Sequence, residues 1–391
     1  MNVAINHVAL APKSSVVVAR FYRPELDVLR FVAFLSVFTV HAFLVSPGTI
    51  PGQRILAPIG AYGLCLFFFL SSYLITELLT RESESTGTVH VKAFYLRRIL
   101  RIWPLYFGFL LCAKVFGHFY PFFALENLRF LAFSLLSGNF YLTKFGSSWS
   151  PADPLWSISL EEQFYLVWPL IAAFGGRRGL ALIAAVLLPI GCVSLYWHSG
   201  YKPAQMGLEF DGTIWCNSLI QFQFFALGAL LAILMRGRAL RCSAPWRWAI
   251  FGSGFLVWLM ASCLFRMSRF QDQLPGGVLL FGYGLIAAGC ILLFLGLLGT
   301  TARLPRVIVY LGQISYGLYV FHWFFLECVF VMPHIRAGLY APPRISIGVF
   351  AGQYLLAFMA TVLAALLCYR YFETPFLKLK KRFTWVPSRT L

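Results

Sequence analysis

The chain has 391 residues, of which 60% are hydrophobic and only 12% charged; phenylalanine alone occurs 40 times and the mean hydropathy is +0.76. A soluble domain carries about 45–50% apolar and about 25% charged residues, and no soluble fold of this length has an interior that could hide the surplus, so the soluble and disordered classes are excluded and lipid is the solvent the composition requires. The formal net charge of +18 raises nucleic acid as a partner, a reading that the distribution of the charges removes.

Residues 1–21 form a mildly apolar tail interrupted by Asn6, His7 and Lys13. They lack the compact apolar region and small-residue site of a cleavable signal, so the first hydrophobic segment is expected to stay as an anchor. A spanning helix needs about 20 mostly apolar residues, and ten stretches qualify: 28–46, 57–79, 99–117, 158–174, 179–197, 214–235, 246–265, 276–298, 306–331 and 345–369. The pattern predicts an all-α integral membrane protein of about ten transmembrane helices, with a re-entrant or interfacial helix at the shorter apolar stretch 128–142. With the N-terminus in the cytoplasm, 23 of the 32 Lys and Arg residues fall on inner segments, leaving Arg54, Lys114, Arg129, Lys144, Lys202, Arg266, Arg269, Arg336 and Arg344 outside. That bias puts both termini in the cytoplasm. Because every inner loop shares the charge, membrane orientation accounts for it and no nucleic-acid partner is expected. The nine cysteines stand singly, without a CxxC pair, and read as small buried hydrophobes rather than disulfides or zinc ligands.

Ionisable groups at bilayer depth are costly and therefore candidates for function. The first span holds Arg30 and, eleven residues later, His41; eleven steps of about 100° bring both to one helix face, about 16 Å apart along the axis. A packing histidine bonded to a neighbouring carbonyl is the structural alternative for His41. Next, Phe94 to Pro104 crowds Arg97, Arg98 and Arg101 onto one end of a span. Like charges at that spacing repel, which suits a bound phosphate and equally a lipid headgroup. The segment Pro154 to Tyr165 brings Glu161, Glu162, Gln163 and Tyr165 into the fourth span. A helix cap by Ser157 or Ser159, with Glu162 at capping-box spacing from Ser159, explains one glutamate. The other reading places the pair at the depth of His41, where a carboxylate orients an imidazole that acts as a general base. His322, followed by Glu327, lies deep in the ninth span, lining the same cavity or packing. At the last span's inner end, Arg370 and Glu373 read as a structural pair and Pro375 as the helix stop. No phosphate loop of the GxxxxGK[ST] type, HExxH zinc site or GxSxG elbow occurs.

In this order the segments resemble the acyltransferase-3 family of integral membrane acyltransferases: Tyr22 to Arg30 with His41, Gly60 to Ile75, Phe94 to Pro104, Leu155 to Leu170, Ile314 to His322, and Tyr369 to Pro375. The resemblance covers about 22–377, leaving 378–391 as a basic cytoplasmic tail, and implies a stand-alone member without a fused esterase-like domain. One departure is Ser71-Ser72-Tyr73 where the family usually has Ser-Gly-Phe; loss of the glycine is expected to narrow helix packing or reshape the cavity. The resemblance implies a multi-pass protein of the inner (cytoplasmic) membrane that transfers an acyl group, commonly acetyl, from acyl-CoA to a hydroxyl of a sugar or glycan without a metal. Arg97, Arg98 and Arg101, assisted by Arg30, would hold the nucleotide phosphates. His41 would be the general base, Glu161 or Glu162 its orienting carboxylate, and Tyr165 and His322 donors to the oxyanion or acceptor. Direct attack and an acyl-histidine relay both remain open. The rival from another class is a proton-coupled secondary transporter, which buried His and Glu also suit.

Overall fold

The computed structural model describes residues 21–147, 150–199, 212–265, 274–300, 302–336, 338 and 345–384. The N-terminal tail up to Arg20, the end of the basic C-terminal tail with Arg389, and Lys202, Arg266, Arg269 and Arg344 lie outside the described residues. Among the described residues the chain is helical without strands, and nine helices are long and apolar enough to cross a membrane. The elements are α1 (Pro24–Leu44), α2 (Gln53–Thr86), α3 (Val91–Phe119), the short α4 (Asn127–Ser134) and α5 (Gly138–Phe145), α6 (Trp156–Trp197), α7 (Gly212–Trp215), α8 (Ser218–Met235), α9 (Ala244–Leu264), α10 (Gly276–Leu297), α11 (Arg306–Gln313), α12 (Ser315–Leu326), α13 (Met332–Arg336), α14 (Ile347–Cys368) and α15 (Thr374–Lys380).

Helix α6 has 42 residues, about 63 Å if straight and twice the hydrocarbon core of a bilayer. It is broken at Gly176, whose φ of 55° and ψ of −153° lie in a region open essentially to glycine alone. The two legs carry the stretches expected at 158–174 and 179–197. Helices α1, α2, α8, α9 and α10 pack on one another, with α6 against α8, around a core that includes Leu29, Phe68, Phe69, Phe225 and Phe294, all fully buried, while Phe34 of α1 packs against α12 and α14. The stretch 128–142 folds as α4 and α5, two short helices separated by Leu136 at φ 54°.

Four local expectations are corrected. The stretch 306–331 is not one span: α11 stops at Gln313 and α12 starts at Ser315. The backbone of Gly312 rests so closely on Asp27 that a Cβ would overlap the Asp27 carbonyl, so α11 is held across the start of α1 and the chain must turn before continuing. Pro375 does not end the last helix. A π-helical turn at Tyr369–Glu373 absorbs the misfit, Pro375 begins α15, and α15 packs back against α3; proline's missing N–H costs little in a first turn. The same turn separates the expected Arg370–Glu373 pair: Arg370 is exposed against Tyr371, whereas Glu373 is buried. Nor does Ser159 cap α6. The helix begins three residues earlier, and Ser159 accepts the Gly138 backbone N–H (3.3 Å) from its interior.

Candidate active site

Helix α1 runs unbroken from Pro24 to Leu44 and carries Arg30 and His41 as their spacing predicts. At the Arg30 end it borders a cavity of about 370 Å³ enclosed with α2, α3, α11 and α15. Seven cationic side chains line this cavity (Arg23, Arg30, Arg97, Arg98, Arg101, Lys380 and Lys381) against three carboxylates, Asp27, Glu82 and Glu373. Several of these charges already have partners. Glu82 takes Arg97 (2.7 Å) and the His90 backbone N–H (3.0 Å), and Asp27 takes the Tyr22 hydroxyl (3.1 Å). Arg23 pairs with Glu25 (3.7 Å) and donates to the Gly237 carbonyl (2.8 Å). Arg98 differs: its guanidinium lies over Phe94 and Tyr165, each 5.4 Å away, and its Nε is buried without a hydrogen-bond partner. A buried donor left unmade costs about 1–3 kcal/mol, and an excess of four positive charges in a low-dielectric site is self-repelling. Both observations fit an anion with several phosphate oxygens.

The structure separates the three arginines of α3. Arg98 and Arg101 face the cavity, but Arg97 is held on both arms, by Glu82 and by the Phe383 carbonyl (2.6 Å). It fastens the chain after α15 to the bundle.

From the arginines a column of polar side chains crosses the bundle. The Tyr165 hydroxyl donates to Glu161 (2.7 Å) and also bonds Ser71. Glu162 accepts the Trp103 indole N–H at 3.1 Å. Further along, the Tyr319 hydroxyl donates to the Pro154 carbonyl (2.9 Å) and is joined by Ser157 (2.6 Å), and its ring lies 5.3 Å from that of His322. The glutamates are therefore placed differently from the expectation. The charged neighbours of Glu161 are Arg30, Arg98 and Arg101, because α6 starts beside Tyr319 and each further residue carries its side chains toward the arginine end.

The ring facing His41 is that of His322. Nδ1 of His41 and Nε2 of His322 are 2.6 Å apart, and Nδ1 of His322 is 2.5 Å from the Tyr319 carbonyl. The ring centres lie 4.9 Å apart with planes 16° from parallel, which with the short N···N distance puts the rings edge to edge and nearly coplanar, as a lone pair requires. A carbonyl only accepts, so Nδ1 of His322 carries hydrogen and its Nε2 the lone pair. His41 then donates from Nδ1, and its own Nε2 carries the lone pair of a base. Trp323 packs edge-on against His41 at 4.9 Å and Phe34 against His322 at 6.2 Å, fixing both rings. Residues not singled out in the sequence enter here: Tyr319 and Ser71 within quoted motifs, Trp103 and Trp323 among many aromatics, and Lys380 within a basic tail.

The Ser72 departure has a compensation. Ser72 donates to the Phe69 carbonyl (3.0 Å) and lies against Gly228 of α8, where a Cβ would overlap both Ser72 Oγ and the Phe69 carbonyl. The bulk on α2 is thus accommodated by a glycine across the interface. Among the described residues no group of three His, Cys, Asp or Glu side chains could hold a metal ion, and none of the nine cysteines forms a disulfide.

A multi-pass helical membrane protein with a cation-lined cavity at one end of a helix and a paired imidazole at the other is the class that these features define. The chain belongs to the acyltransferase-3 family, whose sequence model, described as "Acyltransferase domain", matches residues 23–372. It is 25% identical over 395 residues to the "Putative O-acetyltransferase" of Staphylococcus aureus strain MSSA476, covering 94% of this chain and 59% of that protein. It is 25% identical over 382 residues to the peptidoglycan O-acetyltransferase OatA of Listeria monocytogenes, covering 92% and 56%. The chain thus spans less than two thirds of the length of these curated relatives. No solved structure matches it.

Proposed function

We propose that the chain is an O-acetyltransferase of the cytoplasmic membrane that moves an acetyl group from acetyl-CoA to a hydroxyl of an envelope glycan. The observation that carries this reading is the cavity with an excess of four positive charges joined by one rigid helix to the His41–His322 pair. Arg30, Arg98 and Arg101 bind the nucleotide phosphates from the cytoplasmic side. The roughly 16 Å to His41 suits the pantetheine arm, which presents the thioester to the imidazole. Nε2 of His41 takes the proton of the acceptor hydroxyl as its oxygen attacks the thioester carbonyl carbon. The carbon–sulfur bond then breaks, and the thiolate leaves with the proton that His41 returns. His322 positions His41 through Nδ1. The acceptor class follows from the name of the Listeria relative, a peptidoglycan O-acetyltransferase.

The test supplies membranes containing the wild type or His41→Ala with acetyl-labelled acetyl-CoA and a mixed envelope-glycan fraction. Label is expected to enter glycan with the wild type alone. Equal labelling by both removes His41 from the chemistry, and a wild type that neither binds CoA nor labels glycan, yet moves solute across vesicles, establishes the transporter instead.

A further inference from the structure

We propose that α15 is part of the donor site and that Lys380 binds a terminal phosphomonoester of the ligand held in the arginine cavity. The assignment rests on the acyl-CoA reading of that cavity and adds to it a residue from a segment whose charge reads in sequence as membrane orientation alone.

Orientation charge has no reason to leave solvent, and most of this segment obeys that rule: Lys378 and Lys381 bracket Lys380, and Lys378 is exposed. Lys380 is turned inward. It lines the cavity, its charged neighbours are Arg101, Arg98, Arg97 and Arg30, and it takes part in none of the ion pairs among the described residues. A fold that brings a lysine to four arginines and pairs it with none of the carboxylates that line the same cavity needs a reason. The placement is also braced. Leu377 is buried, Thr374 donates to the Tyr369 carbonyl (2.6 Å), Thr384 donates to the Lys380 carbonyl (3.1 Å), and Arg97 grips the Phe383 carbonyl.

Depth along α3 sorts the cations. Arg97 lies about two turns from the start of the helix, and Arg101 a further turn, or about 6 Å, deeper. Because Arg97 holds the Phe383 carbonyl, the chain leaving α15 stands at the level of Arg97, toward the mouth, and Lys380 lies between it and Arg101. A donor entering with its thioester arm first leaves its pyrophosphate with Arg98, Arg101 and Arg30 and its 3′-phosphate at the mouth. A phosphomonoester carries nearly two negative charges at neutral pH, and a compact ammonium on a flexible stem suits it as a point charge.

The test measures equilibrium binding of labelled acetyl-CoA and of acetyl-3′-dephospho-CoA to the detergent-solubilised full chain. The wild type is expected to prefer acetyl-CoA by about tenfold. Lys380→Ala is expected to lose about tenfold on acetyl-CoA and nothing on the dephospho ligand, while Lys380→Arg keeps most of the preference and Lys378→Ala all of it. Unchanged dephospho binding shows that Lys380→Ala is folded. Equal losses on both ligands, or none on either, overturn the assignment while leaving the donor reading in place. A wild type that binds neither overturns both. If phosphatidylglycerol vesicles displace acetyl-CoA from the wild type but not from Lys380→Ala, the residue serves a lipid headgroup and the proposal fails.

Discussion

Replacing His322 by alanine tests whether the imidazole pair works as a unit. The substitution removes the acceptor 2.6 Å from His41 Nδ1 and with it the chain that starts at the Tyr319 carbonyl. A buried donor that loses its partner costs about 1–3 kcal/mol, and each 1.36 kcal/mol is tenfold in rate, so the share of His41 molecules holding the productive tautomer and ring orientation is expected to fall about 5- to 150-fold. His41→Ala removes the base itself, which is worth about 10²- to 10⁴-fold. Thiol release from acetyl-CoA in the presence of acceptor glycan gives kcat, normalised to protein that remains monodisperse in detergent. The donor KM is expected to stay within about twofold in His322→Ala, because the residues proposed to bind phosphate lie at the other end of α1. The double variant decides the matter: groups acting as one unit are not additive, so His41→Ala with His322→Ala is expected to be no slower than His41→Ala alone. A double variant slowed by the full product of the single effects would show that His322 acts on the substrate by itself, and the relay through His41 would be wrong.

The other expected outcomes address single features. Arg98→Ala raises the donor KM by about 10- to 100-fold, since a charge-assisted contact is worth about 1.5–3 kcal/mol, with little change in melting temperature. Arg97→Ala instead lowers the melting temperature in detergent, because it strands the buried Glu82 (side chain 3% exposed) at a cost of about 3–5 kcal/mol; a normal melt would reject its role as an anchor. Gly176→Ala meets no atom within 4 Å, so its cost is backbone strain alone, about 1–3 kcal/mol, read as earlier thermal aggregation. Gly228→Ala overpacks the α2–α8 contact by a similar amount, and Ser72→Gly does not restore it because the Phe69 carbonyl also stands in the way.

Much of this was legible in the sequence, and the limits have identifiable causes. Apolar runs of about 20 residues betray spans because lipid leaves the backbone no other choice, and a Gly-Gly-Arg-Arg junction divides the stretch 158–197 just where Gly176 breaks α6. The common face of Arg30 and His41 needed only helical arithmetic. What spacing cannot supply is depth on one helix relative to another. Glu161 and His41 lie on different helices, and contacts distant in sequence, Ser157 with Tyr319 and Tyr165 with Ser71 among them, fix how far down α6 the glutamates sit. Similarly, the break at Ile314 depends on Gly312 meeting the Asp27 backbone, a contact between residues 285 positions apart in sequence that leaves no periodic trace. Lys380 was hidden by abundance, one cation among the several that orientation already explains.

The distance between the arginine cavity and the imidazole pair is set by a helix rather than by loops, and the helix is locked at its midpoint. Between Arg30 and His41, α1 lies in a groove of α2 formed by Gly60 and Gly63. A Cβ at Gly60 would stand 2.7 Å from the Ser36 carbonyl and from Val40 Cβ, and one at Gly63 2.6 Å from the Ala33 carbonyl. Close backbone approach through small residues is how membrane helices fix their register without a hydrophobic drive between them. A turn of α1 about its axis would swing Arg30 away from the cavity and His41 away from His322 together, and the two glycines leave no room for it unless α1 and α2 separate. The chemistry proposed for this chain needs a donor whose thioester lies a fixed length from its phosphates, and α1 is the corresponding fixed length in the protein. Sites on rigid elements hold their geometry better than sites on loops, which suits the roles proposed for the two ends, arginines for charge and histidines for proton transfer, on one unbroken helix of 21 residues and its immediate neighbours.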